Sequence, residues 1–192
     1  VIGGGDTGTD CVATALRQGA RSIMQLEFLP EPPEKPLPTN QWPEWPMVKK
    51  TDYGQQEAIE EFDADRRLWA TDTLEVLGEG SVEGLKIVSL DWSNGKPERK
   101  EDNVRTLPAQ LVILAMGFVG PEASLVEAFG GGLAKQGRPL PVVEGKGHGL
   151  SGADGKARVY CAGDTRNGST IVVNAISDGL ACAAEVADDL LG

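Results

Sequence analysis

At 192 residues, with 40% hydrophobic and 24% charged side chains, the chain has room for one large or two small globular domains with a buried core. Its 18 Lys and Arg against 29 Asp and Glu leave a net charge of −11, which argues against phosphate-driven nucleic-acid binding and against docking on an anionic membrane. No apolar run reaches the roughly 20 residues of a bilayer-spanning helix, and no secretion signal opens the chain, so a soluble protein of the cytoplasm or an organelle matrix is expected.

The chain opens with Val1-Ile2-Gly3-Gly4-Gly5-Asp6-Thr7-Gly8-Thr9-Asp10, a strand end running into G-x-G-x-x-G and a helix. Gly3 is expected to make the tight bend, Gly5 to admit a pyrophosphate and Gly8 to let helix and strand pack closely. Gly4, Asp6 and Thr7 complete the turn, whose free N–H groups and helix dipole favour an anion. Cys11, Val12, Ala15 and Leu16 form one apolar helical stripe, which Gly19 closes. Ser22 to Phe28 resumes as a strand, completing a β-α-β unit. Glu27, 19 residues after Gly8, stands where such folds place an acidic residue on the adenosine ribose. It favours NAD(H) over NADP(H), with Lys35 the nearest cation able to reverse that preference; the plain alternative is a solvated carboxylate.

Seven of the twelve prolines fall between Pro30 and Pro46 together with Trp42 and Trp45, which excludes a helix or central strand. This stretch is either a loop whose tryptophans fold back on the domain or a flap near a cofactor or partner. A short acidic helix is expected over 55–62, a strand over 71–77, and a hairpin whose first strand is 84–92, turned at Asn94-Gly95, with 96–102 as its solvated tip. Ala109 to Gly117 reads as a buried parallel strand. After a loop-like stretch to Ala157, Arg158 to Asp164 is a strand ending in Ala-Gly-Asp. A helix follows from Ser169 to about Leu190, with an apolar stripe that includes Val172, Ile176, Leu180 and Leu190, and its N-terminus offers a second anion site. Cys11, Cys161 and Cys182 form no C-x-x-C pair and read as small buried hydrophobes. The single histidine, His148, lies among glycines and reads as an exposed loop residue. No metal site and no catalytic side chain are expected. The chain lacks an initiator Met and opens inside a strand, so it reads as a piece of a longer protein.

Several of these segments together resemble the small (beta) subunit of glutamate synthase, one of the two-dinucleotide-binding flavoprotein reductases. The resemblance is carried by Val1–Asp10, Gln18-Gly19-Ala20, Trp42-Pro43-Glu44-Trp45-Pro46, Asp52-Tyr53-Gly54, Leu114-Ala115-Met116-Gly117-Phe118 and Ala162-Gly163-Asp164-Thr165-Arg166. It implies an α/β fold with two parts. Residues 1–116 would form a Rossmann-like nicotinamide-binding domain, a parallel sheet with helices and a β-hairpin, and 117–192 the C-terminal portion of an FAD-binding domain. Gly117 would mark the crossing between them. Gly163 and Asp164 would meet the FAD ribityl chain, and the backbone of Gly168, Ser169, Thr170, Ile171 and Val172 would face the flavin. The family's first G-x-G-x-x-G and its iron–sulfur segment are expected in a part preceding this chain, leaving the FAD site incomplete here. The chain departs from the family where Gln55 replaces a usual histidine and Asn174 a usual tryptophan.

The resemblance implies hydride transfer from NAD(P)H to FAD, with electrons passing through iron–sulfur clusters to the large (alpha) subunit that forms glutamate, and with the isolated piece inactive. The rival readings are another reductase of the same architecture, ferredoxin-linked or pyrimidine-metabolising, and a nucleotide-binding module without turnover.

Overall fold

The computed structural model describes residues 1–44, 46–129, 132–133, 139–140, 147–151 and 158–191. The chain forms two compact units, Val1–Met116 and Gly117–Gly192.

In the first unit, helix α1 (Asp6–Arg17) follows the glycine turn and ends as the sequence predicts. Gly19 takes φ +85°, its N–H bonds the Leu16 carbonyl at 2.8 Å and the Ala20 N–H bonds the Ala15 carbonyl at 3.0 Å, a Schellman ending. Strand β1 (Gln25–Leu26) pairs in parallel with β2 (Arg67–Leu68). Ile2 bridges in parallel to Leu26 on one side and to Leu114 on the other. The parallel positions therefore run 68–26–2–114, with the first strand of the chain in the interior and the order third, second, first, fourth. That is the order of the first four strands of the classic dinucleotide-binding sheet, so the first unit is Rossmann-like α/β. Regular pairing covers only Gln25 and Leu26 of the strand expected over 22–28.

Residues of opposite parity around β1 face opposite layers, as strand alternation requires. Ile23 joins Val12 and Ala58 in a helix-side cluster, with Ala15, Leu16 and Phe62 packed around it. Leu26 joins Leu85 and Ile87 in a second cluster with Met24, Leu68 and Leu107. The helix-side layer is α1 with α2 (Tyr53–Phe62), which starts at a capping box formed by Asp52 and Gln55. The other layer is an antiparallel meander of β3 (Thr71–Leu77), β4 (Gly84–Asp91) and β5 (Glu98–Pro108), so the expected hairpin gains a third strand. Its central strand buries Leu85, Ile87, Val88 and Leu90. The charged run after Asn94-Gly95 is strand from Glu98 onward, exposed along its length.

Two expectations fail here. Residues 109–117 do not form a continuous buried strand: Leu114 makes one parallel bridge, while Leu111 is 71% and Met116 67% exposed. Apolar content alone does not bury a segment on the outer side of the sheet, where no further strand or helix among the described residues of this unit covers it. Trp42, at 92% exposure, does not fold back on the domain; Trp45 lies outside the described residues. The described residues of the proline-rich stretch carry no helix or strand, as predicted.

In the second unit, α3 (Ala123–Ala128) precedes two antiparallel pairs, β6 (Gly132–Leu133) with β7 (Pro139–Leu140), and β8 (Gly149–Ser151) with β9 (Arg158–Tyr160). A single turn, α4 (Asp164–Asn167), leads to the long helix α5 (Val172–Leu191). The helix begins three residues later than predicted, because the Thr170 N–H and hydroxyl are drawn to Asp164 Oδ1 at 3.3 and 3.4 Å, which holds Ser169, Thr170 and Ile171 in the preceding loop.

The apolar stripe of α5 is largely exposed. Ile176 and Leu180 are 59% and 68% exposed. The helix instead docks through Asp178, Glu185 and Asp189, spaced at i, i+7 and i+11 and hence on one face. Tyr160 donates to Asp189 at 2.5 Å, and the Gly163 N–H donates to Asp178 at 2.8 Å. The helix follows its hydrogen-bond partners, which sit on the polar face.

Candidate functional site

The glycine turn has the shape its sequence predicts, and two of its glycines, Gly3 and Gly8, are required by close neighbours. Gly3 takes φ +125°, and a Cβ there would come within 2.1 Å of the Ala115 carbonyl oxygen. At Gly8 a Cβ would lie 2.1 Å from the Gly3 carbonyl oxygen, so glycine sets the close approach of α1 to the turn. At Gly5 a Cβ would meet nothing within 4 Å, and its backbone, φ −78° and ψ −175°, suits any residue. The protein itself therefore gives no reason for glycine at position 5. An open face at the N-cap, with no side chain capping the first turn of α1, is the arrangement that fits a phosphate approaching the backbone. Asp6 and Thr7 are exposed on that first turn.

Glu27 stands at the end of the neighbouring strand with its carboxylate folded against Gly4, where an added Cβ would clash with Oε2 at 1.7 Å. Its Oε1 accepts the Leu29 N–H at 3.0 Å, which fixes the side chain's direction. Gly4, Gly5, Asp6 and Thr7 thus lie exposed together beside Glu27, with Gly3 and the buried Gly8 shaping the turn beneath them.

Two buried glutamines behind this surface escape that reading. Gln25 is 1% and Gln55 5% exposed, and they join the N-terminus of α2 to the turn through Thr9 and the Gly3 carbonyl. Asp52-Tyr53-Gly54-Gln55 spells the capping-box pattern that announces half of this link. Gln25 is marked only by being polar within Ile23-Met24-Gln25-Leu26. Gly54 closes the contact, since a Cβ there would approach the Thr9 carbonyl oxygen to 2.4 Å.

In the second unit Gly163 takes φ +65° and Gly168 φ +80°, framing the one-turn α4 that Asp164 opens. Asp164, Thr165, Gly168 and Ser169 line a shallow cavity with Phe118, Gly120 and Pro121; Gly117, at φ +79°, immediately precedes that wall. Ile171 and Val172 are exposed at the start of α5. The exposed Asp164 carboxylate on an open cavity suits a hydroxyl-bearing ligand.

His148 is not an exposed loop residue; it is 7% exposed and held between two carboxylates. Its Nδ1 lies 2.8 Å from Glu185 Oε2 and its Nε2 3.2 Å from Asp178 Oδ1. Arg166 also pairs with Asp178. Burial alone would raise the Asp178 pKa, but the Gly163 N–H, Asn167, His148 and Arg166 outweigh it and hold the carboxyl below its ordinary value. The histidine lies among glycines in sequence, and its partners are 30 and 37 residues away, so no local pattern reveals them. The cysteines are half-buried and free; burial pushes the Cys161 and Cys182 thiols up, which keeps them protonated and unreactive. Among the described residues no cluster of His, Cys, Asp or Glu is arranged to hold a metal, and no helix is long and apolar enough to cross a membrane.

Comparison with known proteins finds relatives along the whole chain. The glutamate synthase (NADPH) small chain of Bacillus subtilis is 36% identical over 199 residues, covering 100% of this chain and 39% of its own length. That of Mycobacterium tuberculosis is 35% identical over 194 residues, covering 100% and 37%. The glutamate synthase (NADH) of Saccharomyces cerevisiae is 34% identical over 198 residues, covering 97% of this chain and 9% of its own. The chain thus spans less than two fifths of these relatives. Among solved structures, Mycobacterium tuberculosis FprA in complex with NADPH is similar at a TM-score of 0.48 and 21% identity, over 66% of this chain and 27% of that one. No protein-family profile matches the chain. Its similarity along the whole length to the small chains means that the chain belongs to the glutamate synthase small-chain family.

Proposed function

We propose that the chain carries the nicotinamide-nucleotide site, and part of the flavin site, of an NAD(P)H-dependent flavoprotein oxidoreductase of the glutamate synthase small-chain type. The observation that carries the proposal is the Gly5 face: an open N-cap on an uncapped helix, beside Glu27, in a 3-2-1-4 parallel sheet. In the complete protein the acceptor would be the glutamate-forming large subunit, reached through iron–sulfur centres. Its place would be the cytoplasm. The membership of the small-chain family supports these finer points.

The nicotinamide supplies a hydride and the flavin accepts it when both are bound. The work left to the chain is positioning. The N–H groups at the start of α1 bind the pyrophosphate, and the helix dipole adds to their attraction. Glu27 accepts the ribose hydroxyls, and its carboxylate repels a 2′-phosphate. Asp164 would accept from the flavin ribityl hydroxyls, and the 168–171 backbone with Val172 at the start of α5 would face the flavin. No side chain has to donate or remove a proton, which suits a site without a paired acid and base.

Anaerobic reduction of the flavin in the whole protein, followed with NADH and with NADPH, tests this reading. Reduction is expected with NADH preferred, and Glu27→Ala should shrink that preference about tenfold, the scale of one hydrogen bond to a charged group. A large preference for NADPH would remove the ribose role from Glu27. Failure of both nucleotides to reduce the flavin would remove the function itself.

A further inference from the structure

We propose that Gln25 and Gln55 are positioning residues for the nucleotide site: a buried, one-way hydrogen-bond relay from the start of α2 to the Gly3 carbonyl sets the direction in which the turn presents the Gly4 N–H. The proposal rests on the reading of this turn as the dinucleotide site.

The relay begins at the Asp52 N–H, which donates to Gln55 Oε1 at 3.2 Å. Gln55 Nε2 donates to Thr9 Oγ1 at 2.9 Å and to Gln25 Oε1 at 3.0 Å. Gln25 Nε2 then donates to the Gly3 carbonyl at 3.0 Å. The polarity is unique. Turning the Gln25 amide over would set its oxygen against the Gly3 carbonyl and its NH2 against that of Gln55. Turning Gln55 over would set oxygen against oxygen at Gln25 and NH2 against the Asp52 N–H. A backbone donor at a helix start therefore dictates the orientation of both side chains.

The consequence lies in the next peptide. The Gly3–Gly4 peptide is planar and trans, so its C=O and N–H point to opposite sides. Drawing the Gly3 carbonyl inward to Gln25 turns the Gly4 N–H outward, to the exposed side of the turn where Gly4 and Gly5 lie. At φ +125° Gly3 is free of the side-chain restraint that would otherwise limit this peptide, so something else must hold it. The relay does so, wedged so tightly that a Cβ on Gly8 would lie 2.8 Å from Gln25 Nε2. Packing alone does not account for two carboxamides here. Leucine or methionine would fill a similar volume without the desolvation that a buried amide incurs.

The test compares Gln55→Met, Gln25→Met and Gln55→His in the whole protein by nicotinamide KM, kcat and thermal midpoint. Methionine keeps the bulk and removes the polarity; histidine can accept at one ring nitrogen and donate from the other. The methionine variants are expected to raise KM about tenfold with kcat within twofold, the loss expected when one hydrogen bond to a charged group is misdirected. The Gln25→Met/Gln55→Met pair should be no worse than either single change, and Gln55→His should recover most of the loss. Variants that fold with unchanged KM, or a histidine variant no better than methionine, would overturn the proposal. If the methionine variants do not fold, the backbone amide of Gly4 in the unaltered protein decides by NMR: its resonance should be among those moved most by added NADH or NADPH, and an unmoved Gly4 in a protein that binds the nucleotide would overturn the proposal. An unaltered protein that binds neither nucleotide would refute the dinucleotide reading, a result distinct from either outcome for the glutamines.

Discussion

Gly5 and Gly8 occupy the same motif but answer to different physics, and alanine substitution separates them. At Gly8 the added methyl would press on the Gly3 carbonyl at 2.1 Å, so Gly8→Ala should destabilise the protein by about 1–3 kcal/mol and weaken nucleotide binding as a secondary effect. At Gly5 the methyl meets open space, so Gly5→Ala should leave the thermal midpoint unchanged and still reduce nicotinamide affinity about tenfold by obstructing the phosphate. Thermal melts and nucleotide titrations of the two variants check this; equal effects on stability would contradict the assignment of open and closed faces. At this scale the glycines were legible in the sequence because their spacing is the signal. Gln25, Gln55 and His148 were not. Each is bound by residues distant in the chain, and a buried polar side chain looks in sequence like any exposed one.

Between elements, the end of the proline-rich excursion is tied to the parallel sheet by ions. Arg67, at the start of β2, donates to Asp65 at 2.7 Å and to the Lys50 carbonyl at 2.6 Å, while Lys49 stands 3.3 Å from Asp65. The Arg67 hydrogen bond is the largest influence on the Asp65 carboxyl and holds its pKa down to about 2 against some desolvation. A carboxyl whose pKa falls on folding stabilises the fold above its ordinary pKa, and loses that contribution as pH drops toward the folded value. The Asp65 contribution should therefore be complete above about pH 4 and fade between 4 and 2. With solvent screening at a side chain 28% exposed, Asp65→Asn should cost about 1–2 kcal/mol at neutral pH. Its stability should also flatten across that acid window. Denaturant melts at pH 7 and pH 3 measure both; an unchanged acid slope would contradict the ion tie. The α1, α2 and meander elements were legible from periodicity and turn signals. The run 109–117 was misjudged because hydrophobic pattern reports what a segment could bury, and here its partner in the fold is one bridge at Leu114; the docking of α5 through its polar face went unread.

For the molecule as a whole, two compact units each present one half of the expected chemistry: a glycine turn with an acidic strand end in the first, and an Ala-Gly-Asp turn ahead of a long helix in the second. Large apolar side chains are exposed in both units, among them Leu111 and Met116 in the first and Ile176 and Leu180 in the second. The fold class was legible because β-α-β spacing and the glycine motif are local; the use of the polar face of α5 was not, because it depends on contacts between distant residues. The central claim is that the turn at Val1–Asp10 holds a nicotinamide dinucleotide. A crystal structure of the whole protein with NADH or NADPH tests it most directly. The pyrophosphate should lie within hydrogen-bond distance of the N–H groups at the start of α1, with the adenosine ribose at Glu27. A dinucleotide bound elsewhere, leaving the Gly5 face bare, would contradict the account.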